Sequence, residues 1–117
     1  MILLALPSLV AGLIALLSPA TFFEQIGTYG ARNDHYTGDA GAYLTAFGVA
    51  LLIAAARPAW RVPLLMLGAG WYGLHALNHL FDIGEARSDA RGIADTALIG
   101  FGAVLHLYLA RLAAARR

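Results

Sequence analysis

The stretch WYGLHALNHLFD, residues 71 to 82, places His75, Asn78, His79 and Asp82 at the end of an otherwise apolar run. His75, His79 and Asp82 follow the spacing i, i+4, i+7, which on an α-helix keeps them within roughly 60° of arc. Imidazole and carboxylate groups on one face can ligate Zn, Fe, Cu or Mn, and a His pair four residues apart is an acceptable two-ligand geometry. The same groups can pass a proton, or a His–Asp hydrogen bond can tie two helices together. All three chemistries stay open at this point.

Two further carboxylates join the candidates. Asp95 is surrounded in sequence by Ile93, Ala94, Leu98 and Ile99, and a carboxylate at the centre of a membrane helix costs about 2.5 to 3.5 kcal/mol, so it requires a partner. Asp82 falls at a helix C-terminus, where the macrodipole disfavours a negative charge. Its expected partner is His79, Arg87, Arg91 or a bound cation. Asp39 can serve as an N-cap at the start of an apolar run, and at about 100° per residue it also lies over the small-residue stripe Ala42, Ala46, Ala50 and Ala54. That stripe is expected to let another helix approach closely and to direct Asp39 inward.

The elements that must position these groups are apolar helices. Of 117 residues, 60% are hydrophobic and 13% charged, with mean hydropathy +0.68, against roughly 25% charged in soluble domains. The composition predicts a membrane protein of one domain. Segments 2–17, 40–56, 62–81 and 92–110 approach the roughly 17 to 25 residues of a crossing helix. The expected fold is all-α, an integral membrane four-helix bundle. SPA before Thr21 resembles a signal-peptide cleavage site, but MILLALP lacks a basic n-region, so the first segment is read as a span.

All eight basic residues are arginines, and there is no cysteine, which excludes disulfides, thiolate metal sites and cysteine nucleophiles. Scattered arginines with a net charge of +1 exclude a nucleic-acid footprint. Arg57 and Arg61 lie between the second and third segments, and Arg111, Arg116 and Arg117 follow the fourth. Arginine-rich short loops stay cytoplasmic. Both termini are therefore expected inside, and the connections 18–39 and 82–91 outside, in a multi-pass protein of the cytoplasmic (inner) membrane. Phe22, Phe23, Ile26, Tyr29 and Tyr36 make the 18–39 connection amphipathic and suited to the outer surface or to a lid.

With this topology His35, Asp39, His75, His79, Asp82 and Asp95 are expected to converge in the outer leaflet as a candidate metal or small-ligand cluster. His106, about three turns from Asp95, reads as a packed histidine. GAGWYG, residues 68 to 73, spells the G-x-G-x-x-G dinucleotide fingerprint, but a fingerprint needs a strand before it and a helix after it. Inside an apolar span these glycines are expected to make helix contacts. No Ser-His-Asp arrangement can be specified from Ser8, Ser18 or Ser88.

PATFFEQ, then NDHYTGDAGAYLTAFG, then WYGLHALNH together resemble a group of small four-span membrane proteins common in actinobacteria and their relatives. Asn33, Asp34, His35, Asp39 and Gly41 match the motif that opens the group's second span, and His75 and His79 the segment that closes its third. Gly38 stands where the group carries a basic residue. The resemblance implies fold and topology; a looser likeness to DoxX-type four-helix proteins implies redox or quinone-linked accessory roles. The leading expectation is a non-enzymatic accessory or small-ligand-binding protein of the lipid bilayer. The alternatives are a metal-dependent membrane enzyme or redox accessory, and a structural subunit that pairs with another membrane protein or with its own copies.

Overall fold

The computed structural model describes residues 1–27 and 29–115; Arg116 and Arg117, used above for orientation, lie outside them. Five α-helices make up most of the described chain: α1 (Ile2–Leu17), α2 (Pro19–Gln25), α3 (Asp34–Ala56), α4 (Arg61–Phe81) and α5 (Asp89–Ala115). Among the described residues there is no β-strand. The chain divides into two compact units, Met1–Pro58 and Ala59–Arg117.

In the first unit α1 packs along α3. The row that α1 buries, Ala5, Ser8, Gly12 and Ala15, is made of small residues at helical spacing. Facing it on α3 are Gly41, Thr45 and Gly48. A Cβ on Gly41 would stand 2.6 Å from the Leu16 nitrogen, and one on Gly48 2.6 Å from Leu9 Cγ. The backbones approach this closely because those side chains are absent. α1 stops where Ser18 leaves helical geometry, at φ −147° and ψ 71°, and Pro19 opens α2 as a first-turn residue.

Two sequence expectations change here. The stripe Ala42, Ala46, Ala50 and Ala54 is not the face that meets α1: Ala42 and Ala46 are exposed and Ala50 half-buried, and Ala54 alone of the four is buried. Glycine permits a closer approach than alanine, so the contact follows Gly41 and Gly48. Nor does Asp39 cap a helix. Asn33 does, its Oδ1 accepting the Tyr36 N–H at 3.1 Å, so α3 starts six residues before the expected position 40. Asp39 then falls inside the helix, its side chain 67% exposed rather than directed inward.

In the second unit α4 packs along α5, with a short 3₁₀ turn over Ile83–Glu85 between them. Ser88 starts α5, its Oγ accepting the Arg91 N–H at 3.3 Å. Gly92, one turn on, lies under the turn so tightly that a Cβ would sit 2.8 Å from the Ile83 carbonyl oxygen. Lower down, the Tyr72 ring lies against Gly102 and, with centroids 5.0 Å apart, against His106. His106 is buried and its Nδ1 bonds the Gly102 carbonyl at 2.8 Å.

Length and apolarity suit α3 and α5 to crossing a membrane. α1 is a shorter apolar helix of 16 residues. α4 has the length, but Arg61, Tyr72, His75, Asn78 and His79 dilute its apolar surface. GAGWYG lies inside α4, with its backbone N–H groups committed to the helix. It forms no strand-to-helix loop for a pyrophosphate. Gly68 is buried, whereas Gly70 faces open space.

Candidate functional site

The last two turns of α4 carry the polar ladder. Four-residue spacing stacks His75 and His79 one turn apart, with Nε2 2.9 Å from Nε2 and ring centroids 4.6 Å apart, edge to face. Two neutral imidazoles make this contact only as different tautomers, one donating an Nε2 proton and the other accepting with a lone pair. Both rings are half-buried. Trp71, one turn before His75, tilts its ring against it at 5.5 Å.

Asp82 closes the helix, and Asn78 Nδ2 donates to its Oδ2 at 3.0 Å. The hydrogen-bond partner is thus an amide one turn back, while of the expected partners His79, Arg87, Arg91 or a bound cation, His79 lies within electrostatic range. Asp95, on α5, accepts a hydrogen bond from Arg91 Nε at 2.8 Å, again one turn back on its own helix. Its side chain is 17% exposed, so most of the carboxylate is withdrawn from solvent. The Asp95 and Asp82 carboxylates both lie within electrostatic range of the His79 imidazole. The end of α4 and the start of α5 therefore bring His75, His79, Asp82 and Asp95 into one polar patch in the second unit.

His35 and Asp39 belong to the first unit. They face each other at 3.6 Å along one side of α3, with side chains 80% and 67% exposed, and an exposed pair of this kind contributes little stability. Arg32, just ahead, grips the Asp34 carboxylate through Nε at 2.6 Å and Nη2 at 2.8 Å. That bond holds the guanidinium above its ordinary pKa. Arg32 and Asp34 thus form an exposed ion pair at the start of α3.

Among the described residues, no group of three or more His, Asp or Glu side chains is gathered as a ready metal cage. What is preformed is a pair of imidazole nitrogens. Comparison with protein-family models, with curated proteins and with solved structures found no match.

The functional reading therefore rests on the chain's own groups. The sequence left Asn78 without a role and offered Arg91 to Asp82, whereas Arg91 bonds Asp95. The signal for both bonds was present as i, i+4 spacing, Asn78 to Asp82 and Arg91 to Asp95.

Proposed function

We propose that the chain is a non-enzymatic, multi-pass protein of the cytoplasmic membrane, an accessory protein whose polar patch at the α4–α5 turn receives a small ligand. The observation that carries the membrane reading is α5. It is 27 residues long, and only 11% of its most apolar stretch is buried within the molecule. Leu98, Phe101, Val104 and Tyr108 are all more than half exposed. The apolar core helix of a water-soluble domain is mostly buried, whereas a helix apolar on its outer surface has lipid as its natural solvent.

In this reading α1 and α4 complete four crossings, with the termini and the Arg57–Arg61 turn inside. The charge pattern supports that orientation. The patch at the end of α4 then faces outward. Ionisable groups held at membrane depth are functional candidates by default, and here two imidazoles and two carboxylates share one end of a helical pair.

The absence of native cysteine makes the topology directly testable. Gly84, in the α4–α5 turn, faces open space, and Ala59 lies in the opposite connection. Gly84→Cys is expected to react with a membrane-impermeant maleimide in intact cells, and Ala59→Cys only after permeabilisation. Release of the chain from membranes by alkaline carbonate, or the reverse labelling pattern, would overturn the reading.

A further inference from the structure

From the 2.9 Å approach of the His75 and His79 Nε2 atoms, we infer that the small ligand is a divalent transition-metal ion, chelated by those two imidazoles on one turn of α4. This deepens the reading above and rests on it for the patch being a ligand site.

The geometry is close to what a metal needs. Two nitrogens each about 2.0 to 2.1 Å from one tetrahedral ion stand about 3.3 Å apart. His75 and His79 need to separate by only a few tenths of an ångström, within the freedom of their side-chain torsions. Two histidines at i, i+4 on one helix face form the same ligand pair that a zinc-binding H-E-x-x-H helix presents.

Proton bookkeeping is simple. In the metal-free pair one Nε2 carries a proton and points it at the other. Binding requires both Nε2 lone pairs, so that imidazole moves its proton to Nδ1 and stays neutral. No net proton is released, and the ion takes the place of the shared hydrogen.

Charge is supplied nearby. Asp95 and Asp82 lie within electrostatic range of His79; Arg91 already offsets Asp95, so Asp82 supplies the negative charge that favours a cation in this half-buried setting. No third ligand stands in place, so the remaining positions belong to water or to a carboxylate that swings in. An ion with open positions is one that can be handed on or can take an exogenous ligand.

The test uses the full chain in detergent, stripped with a chelator and titrated with Co(II) and, separately, Cu(II). One equivalent of Co(II) per chain, with visible absorption bands, is the expected result, together with a Cu(II) resonance spectrum split by two imidazole nitrogens. His75→Gln and His79→Gln should each leave one coupled nitrogen and weaken binding by more than the roughly 10- to 100-fold that loss of an outer-shell partner costs. Asp95→Asn should weaken it within that range, and His35→Ala should leave it unchanged. Helicity of each variant by circular dichroism separates ligand loss from unfolding, and the wild-type spectrum needs no variant.

Three results would overturn the inference. These are no binding at millimolar metal, binding that survives the double variant H75Q/H79Q, or binding that His35→Ala abolishes. If the labelling pattern of Gly84→Cys and Ala59→Cys holds while metal fails to bind, the metal falls and the membrane reading stands. If carbonate strips the chain from the membrane, that reading falls first.

Discussion

Gly12 of α1 meets Thr45 of α3 so closely that a Cβ at position 12 would stand 2.6 Å from both the Thr45 backbone nitrogen and its Oγ1. A backbone atom cannot turn aside as a side-chain tip can, so the helices must part to admit even a methyl group. Gly12→Ala is expected to destabilise the first unit by about 1 to 3 kcal/mol, the ordinary cost of overpacking, despite alanine's better helix propensity. Thermal unfolding in detergent, followed by circular dichroism, checks it. An unchanged or raised midpoint would mean that α1 and α3 do not touch here.

Gly70 supplies the opposite sign. It lies within α4, and a Cβ there would meet nothing within 4 Å. Glycine in a helix interior costs roughly 0.5 to 1 kcal/mol relative to alanine. Gly70→Ala should therefore stabilise the chain by about that amount in the same assay, and a loss of stability would show that a neighbour packs against this face.

Thr45 makes a third case. Its hydroxyl oxygen is buried and has no hydrogen-bond partner, and a buried unsatisfied polar atom costs about 1 to 3 kcal/mol. Thr45→Val keeps the branched shape and removes the hydroxyl. The variant is expected to be as stable as the wild type or more so. A clear loss would mean that the hydroxyl bonds a carbonyl of the preceding turn in solution.

These residues also mark what the sequence could and could not disclose. Apolar length is a local signal, so the extents of α1, α3, α4 and α5 were legible to within a few residues at most ends. An apolar count places the start of α3 at Ala40, whereas the helix begins where Asn33 can satisfy a free N–H. Ala42, Ala46, Ala50 and Ala54 formed the more regular stripe, yet α1 lies on Gly41 and Gly48. Periodicity says which residues share a face but not which face is used, and the closest backbone approach decided it. The patch follows the same division: the His75–His79 stacking followed from spacing alone, whereas the nearness of Asp95 to His79 depends on how the Ile83–Glu85 turn folds α5 back.

Asn33 offers a test away from the apolar segments. Its side chain accepts the Tyr36 N–H, one of the donors that a helix start leaves without an intrahelical partner. Asn33→Ala should cost about 1 kcal/mol, and Asn33→Asp should cost little, since both Asn and Asp side chains cap well. Amide hydrogen exchange at residues 35 to 37 reads this directly. Equal protection in wild type and Asn33→Ala would place the start of α3 elsewhere.

Arg91 and Asp95 allow the most discriminating experiment, because the order of the variants matters more than their size. The guanidinium is 44% exposed and the carboxylate 17%, so solvent screens the pair on one side and withdraws from it on the other. Arg91→Ala leaves a largely enclosed carboxylate without the cation that bonds it, and the expected cost is about 1 to 2 kcal/mol, less than for a fully buried pair. Asp95→Asn keeps an acceptor for the Arg91 N–H and should cost less. The double variant R91A/D95N carries no enclosed charge and should be more stable than Arg91→Ala alone, a coupling that a double-mutant cycle isolates. Unfolding midpoints of the four proteins check it. If the double variant is less stable than Arg91→Ala, Asp95 is held by something other than Arg91, and the next cycle would pair it with His79.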